Sequence, residues 1–145
     1  MTERFYNEEQ SSLINMDTEF EAIRTPRDLY DALRDIWCAY TCAPRMRERW
    51  TKENMTLGQC SVTSFLAQDV FGGKVFGIPL EDGSVHCFNV VEGIPFDLTS
   101  AQFPDEDLDY EHVTEQFREN HFRKQEKYER YQYLCDKLHE CMKKG

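Results

Sequence analysis

The stretch GQCSVTSFLAQDVFGGKVFGIPLEDGSVHCFNVVEGIPFDLT, residues 58–99, changes its hydrophobic period part-way along and so decides the fold. Its first part places Val62, Phe65, Leu66 and Val70 at helical spacing and stops at Gly72-Gly73, which predicts a helix opened by Gly58-Gln59-Cys60. Beyond the glycines come three short β-type runs, Lys74 to Pro79, Val85 to Val91 and Ile94 to Leu98. They are split by the turn signals Glu81-Asp82-Gly83-Ser84 and Glu92-Gly93, so a small antiparallel meander is predicted.

Toward the amino terminus, Thr25-Pro26-Arg27-Asp28 reads as an N-cap, a proline at the first helical position and an acidic residue at N3. Leu29, Ala32, Leu33, Ile36, Trp37 and Tyr40 continue as one apolar stripe until Ala43-Pro44, which predicts a helix over that span. Residues 1–24 are acidic and only loosely patterned. Toward the carboxyl terminus the chain is acidic from Pro104 through Glu115 and then turns helical, with Tyr128, Tyr131, Cys135, Leu138 and Met142 spaced as a stripe that can pack on the sheet or on a partner. With 145 residues, the size of one domain, the expectation is a single α+β unit. Its core spans about 25–103, an antiparallel sheet packed against the Cys60 helix, flanked by an amino-terminal helix and a long carboxyl-terminal one.

Lys and Arg number 17 against 27 Asp and Glu, a net charge of -10, so the surface repels nucleic-acid backbones and anionic membranes. The mildly basic stretch from Arg118 to Lys144 is interleaved with Glu119, Glu126, Glu129, Asp136 and Glu140, the pattern of a solvated helix face. Met1 to Tyr6 has no basic region leading into an apolar one, and no run approaches a membrane span, so a cytoplasmic location is expected. The six cysteines, at 38, 42, 60, 87, 135 and 141, form no CxxC pair and are expected to stay reduced.

A thiol is a useful nucleophile as its thiolate, and a helix amino terminus favours that anion through its unpaired N–H groups and dipole. Cys60 has this setting, and His86, on a strand that follows, is the candidate base. If Glu92-Gly93 is a two-residue turn, Val91 pairs with Ile94, and His86 and Asp97 become diagonal cross-strand neighbours on one sheet face. Asp97 can then orient the imidazole and stabilise its charged form. The Cys60 backbone N–H, with Asn54 or Gln59 as side-chain candidates, can hold the oxyanion of an attacked carbonyl. No cofactor is expected.

Three other readings compete. Cys135, His139 and Cys141 can join Cys38 and Cys42 as soft metal ligands, although one helix does not aim 135, 139 and 141 at a single point. Cys38 and Cys42, four residues apart, can form a redox pair, although that spacing on an intact helix seldom suits a disulfide. A non-catalytic interaction protein can use the Cys60 cleft to bind a peptide, or the Tyr128 to Met142 stripe to dock a partner helix.

From Trp50 to Phe103 the sequence resembles the YunG-like family of bacterial proteins, through Trp50, Glu53-Asn54, Gly58-Gln59-Cys60, Gly72-Gly73, His86 and Asp97-Leu98-Thr99 with Gln102-Phe103. It departs where the family pattern has an aromatic pair after the histidine, since Cys87-Phe88 stands there, and in its long tail beyond Phe103. The Cys, His, Asp order is also similar to the papain-like superfamily in its broad sense, which includes transglutaminase-like enzymes and bacterial cell-wall amidases. That resemblance implies a papain-like core and acyl transfer at an amide or ester of a small molecule or peptide. Cys60 would be the nucleophile, His86 the base and Asp97 its orienter. It equally allows a catalytically inactive binding module on the same scaffold.

Overall fold

A computed structural model describes residues 4–103 and 108–143. In chain order the elements are α1 (Glu8–Ser11), α2 (Pro26–Leu33), two 3-10 turns (Pro44–Arg49 and Lys52–Asn54), α3 (Cys60–Phe71), β1 (Lys74–Pro79), β2 (Val85–Val91) and β3 (Ile94–Phe96). A third 3-10 turn (Ser100–Gln102), β4 (Thr114–Gln116), α4 (Arg118–His121) and α5 (Gln125–Lys143) follow. The four strands form one sheet in the order β3-β2-β1-β4, every pairing antiparallel. The architecture is α+β.

Helix α3 buries Val62, Phe65, Leu66, Ala67, Val70 and Phe71 between the sheet on one side and α5 on the other. Burial of this kind contributes about 2 kcal/mol for each large apolar side chain. Where the helix crosses β2, Asn89 donates from Nδ2 to the Ser64 carbonyl at 2.9 Å, which ties sheet to helix through a buried hydrogen bond. The exit from α3 is fixed by Gly73, whose φ of +75° leaves no room for a side chain: a Cβ there would lie 2.3 Å from the Val90 carbonyl oxygen.

The hairpin between β2 and β3 has the predicted two-residue turn, with Glu92 at φ 53° and Gly93 at φ 79°, the mirrored conformation that matches strand twist. The register is Val91 opposite Ile94, Val90 opposite Pro95 and Asn89 opposite Phe96. The third strand stops at Phe96 rather than Leu98, because Asp97 leaves this ladder and makes an isolated bridge to Tyr6.

Three further expectations are corrected. Helix α2 has the full capping box between Thr25 and Asp28 but ends at Leu33, not at Ala43-Pro44. One irregular turn carries the chain on to Trp37, and Thr41 Oγ1 then accepts from the Cys38 N–H at 3.0 Å and donates to the Cys38 carbonyl at 2.9 Å. Local side-chain bonds thereby replace helical ones, and Tyr40 falls off the stripe onto the surface. The amino-terminal segment is less loose than its pattern suggests, since Phe5, Ile14, Phe20 and Ile23 are all buried in the common core. A fourth strand, Thr114–Gln116, overlaps the end of the segment read as acidic, and its polar residues carry no alternation to announce it. Residues 104–107, where that segment begins, lie outside the described residues.

The stripe of α5 is covered by the chain itself: Tyr131, Leu134, Cys135 and Leu138 are core residues, and Tyr128 stays exposed. The face offered above for a partner helix is therefore occupied internally. All six cysteines are free, with Cys135 buried and Cys141 exposed on different faces of α5. Among the described residues no three His, Cys, Asp or Glu side chains are grouped to hold a metal ion, and no helix is long and apolar enough to cross a membrane.

Candidate functional site

Gly58-Gln59-Cys60 is a turn that delivers a half-buried thiol to the start of α3. Gly58 has φ +69°, and a Cβ there would sit 2.6 Å from Cys42 Sγ and 2.9 Å from the Ala43 nitrogen, so the approach requires glycine. Gln59 makes no side-chain cap, and the backbone N–H groups of Cys60 and Ser61 find no acceptor among the described residues. That leaves the positive end of a three-turn helix open beside the sulfur.

Hydrogen bonding from the Cys87 thiol holds the Cys60 thiol well below its ordinary range; burial opposes this, and the His86 imidazole reinforces it. The same interaction, with burial, pushes Cys87 well above its own ordinary value. The pairing with Cys87 therefore favours the anion on Cys60.

His86 is 1% exposed, and its Nε2 lies 2.7 Å from Asp97 Oδ2. Its Nδ1 is buried with no hydrogen-bond partner among the described residues. Burial works against charging this ring, but the Asp97 carboxylate and then the Cys60 thiolate outweigh it and push the imidazolium up to about 10. Nε2 thus carries a proton toward Asp97, and Nδ1 is the nitrogen left to exchange one with the sulfur. Phe103 closes the other side of the ring, edge to face at 4.9 Å between centroids.

Asp97 is itself firmly held. Its Oδ1 accepts the Thr99 N–H at 3.1 Å, and its Oδ2 accepts the Tyr110 hydroxyl at 2.7 Å as well as His86. Burial first, and Asp97 second, keep the Tyr110 phenol protonated far above its usual range. Tyr110 stacks on Tyr6 with centroids 3.7 Å apart, so the amino-terminal segment braces the carboxylate from behind.

Cys60 and His86 open on a cleft of about 580 Å³ whose walls include Gln102, Gln116, His121 and Lys127. Gln102 links the loop after β3 to the mouth of α3, accepting the Gly58 N–H at 3.2 Å and donating to the Thr99 carbonyl at 3.1 Å.

The structure brings Cys60, His86 and Asp97 together and leaves the two side-chain oxyanion candidates out. Asn54 is exposed in the Lys52–Asn54 turn, where its N–H donates to Thr51 Oγ1, and it does not line the cleft. Gln59 is fully buried, its Nε2 turned to the Cys38 carbonyl at 3.2 Å. Cys60 and Ser61, whose backbone N–H groups have no acceptor among the described residues, both line the cleft. Thr99 and Gln102 lie within a motif visible in the sequence, Asp97-Leu98-Thr99 with Gln102-Phe103. Tyr110, Cys87 and Lys127 had no such signal, since each acts through a tertiary contact.

Comparison with known proteins agrees with the motif stretch and extends it. The chain is 36% identical over 102 residues, 70% of its length and 81% of the relative's, to a Bacillus subtilis (strain 168) protein described as "Uncharacterized protein YunG". No solved structure matches. The family described as "YunG protein" matches residues 25–143, from the cap of α2 to the end of α5. With most of its length matched and a relative at that identity, the chain belongs to the YunG family.

Proposed function

We propose that this protein is a cysteine hydrolase or acyltransferase acting on an amide or ester bond, built on a papain-like core. Cys60 is its nucleophile, His86 its general base and acid, and Asp97 the partner that orients His86. One observation carries the reading: a buried His86–Asp97 pair at 2.7 Å leaves one orphan ring nitrogen in the same cleft as a thiol at a helix start. A structural histidine would normally have both nitrogens satisfied.

The chemistry follows from the resting ion pair. The Cys60 thiolate attacks the substrate carbonyl carbon, and the developing oxyanion takes hydrogen bonds from the N–H groups of Cys60 and Ser61. The carbonyl re-forms as the bond to nitrogen or oxygen breaks, and the leaving group takes the proton from His86 Nδ1. Water or an acceptor amine then attacks the Cys60 thioester and gives a proton to His86. The C–S bond breaks, returning thiolate and imidazolium.

The test is to incubate the protein with a panel of activated acyl esters, quench in acid and map the adducts. The expected result is an acyl thioester on Cys60 that turns over in the wild type and accumulates in His86→Ala. Acylation of Cys38 and Cys141 with none on Cys60 would refute the reading and favour an inactive binding module.

A further inference from the structure

The cleft differs in charge from the rest of the molecule. On a chain of net charge -10, its walls carry Arg45, Lys124, Lys127 and Arg130 against a single carboxylate, Glu126. Two of the four cations are answered inside the protein. Arg45 reaches Asp82 at 3.4 Å, and the buried Arg130 pairs with Glu126 at 2.8 Å while donating to the Thr41 carbonyl at 2.9 Å. Lys124 is exposed to solvent.

Lys127 is the exception, half-buried with no carboxylate partner among the described residues. Its Nζ lies 3.0 Å from His121 Nδ1, and His121 Nε2 lies 2.9 Å from Gln116 Oε1. Gln116 is turned so that its Nε2 donates to the Thr114 carbonyl at 3.2 Å, which fixes Oε1 as an acceptor and so puts the His121 proton on Nε2. His121 therefore offers Lys127 a lone pair rather than a second charge. Burial, and then the charge of Lys127, push the ring down to about 4 and keep it neutral. This relay positions an ammonium with one proton engaged and two left over, in the cleft that holds Cys60.

A half-buried cation without a counter-ion is costly unless something supplies the charge. Burial holds Lys127 below its ordinary range, outweighing the Cys87 and Cys60 sulfurs that favour the ammonium, and no side chain takes its two remaining protons among the described residues. Two free N–H donors on Lys127, in a cleft whose walls carry four cations and one carboxylate, suit a carboxylate group. We propose that the substrate of this cleft carries a carboxylate near its scissile bond and that Lys127 binds it, held in place by His121 and Gln116. This specificity rests on the acyl-transfer reading above.

The experiment compares alkylation of Cys60 by iodoacetate and by the neutral iodoacetamide at low ionic strength. Each rate is divided by that of 2-mercaptoethanol thiolate with the same reagent, and the site is read by peptide mapping. The expected normalised preference for iodoacetate is at least about tenfold, the low end of what charge focusing in a cleft gives. It falls toward one in Lys127→Met, which keeps the apolar stem, and persists in Lys127→Arg and Lys124→Met. Fast iodoacetamide reaction with no preference for iodoacetate would overturn the carboxylate assignment and leave the nucleophile standing. A preference unchanged in Lys127→Met would overturn the role of Lys127. Slow reaction of Cys60 with both reagents, relative to Cys141, would overturn the nucleophile itself and this proposal with it.

Discussion

Asp97→Asn removes one charge from a buried pair and leaves the packing almost unchanged. The rise of His86 from 6.5 to about 10 corresponds to on the order of 5 kcal/mol in favour of the imidazolium. Burial opposes the charge, and Asp97 stands ahead of Cys60 among the groups that raise it, so loss of the carboxylate should lower the His86 midpoint clearly below about 10. Imidazole NMR titration of the variant reads this directly. Stability must follow with a definite sign. A group whose folded value is raised contributes fully below its unfolded value near 6.5 and loses that contribution as pH rises through about 10. Urea denaturation should therefore separate wild type from Asp97→Asn by more at pH 6 than at pH 10, with the gap closing across that interval. A His86 midpoint unmoved by Asp97→Asn, or a stability gap that widens as pH rises, would refute the reasoning.

His86→Ala takes away one of the two groups that hold the Cys60 thiol down and leaves Cys87, so its alkylation midpoint should climb toward the free-thiol value of about 8.5. Iodoacetamide kinetics against pH measure it, and an unchanged midpoint would separate the two residues. Tyr110→Phe deletes a 2.7 Å hydrogen bond to the buried Asp97 while the ring stack on Tyr6 remains, and should cost about 1.5–3 kcal/mol in urea denaturation. Gly73→Ala forces a Cβ to 2.3 Å from the Val90 carbonyl at a positive φ, so a loss above about 2 kcal/mol is expected in the same assay.

The part of the fold that was legible in the sequence is the part written in local chemistry. Gly72-Gly73 punctuates a helix, and Glu92-Gly93 sets a hairpin register in which a one-residue slip would put His86 and Asp97 on opposite faces. That register brings Asp97 to the His86 side, and its bridge to Tyr6 and the Thr99 N–H, just past the ladder, set the final contact. What stayed hidden depends on distant partners. The stripe through Trp37 and Tyr40 continues at helical spacing, but Thr41 diverts the backbone, and Trp37 remains buried by donating to Thr63 across the core at 2.9 Å. Strand β4 pairs Gln116 with Val75, and its polar face has no periodicity because it lies at the sheet edge and lines the cleft. Asn54 and Gln59 were plausible as donors by sequence proximity to Cys60. Proximity does not set side-chain direction, and one lies in solvent while the other anchors the Cys38 loop.

The central claim is that Cys60 rests as a thiolate beside His86. Its most direct test is the rate of iodoacetamide reaction at each of the six cysteines between about pH 5 and 10, resolved by peptide mapping. The account predicts that Cys60 reacts at a nearly constant rate through neutrality, with a midpoint well below about 8.5 and ahead of the exposed Cys141. A Cys60 whose rate rises only through about 8.5, in step with Cys141, would contradict it.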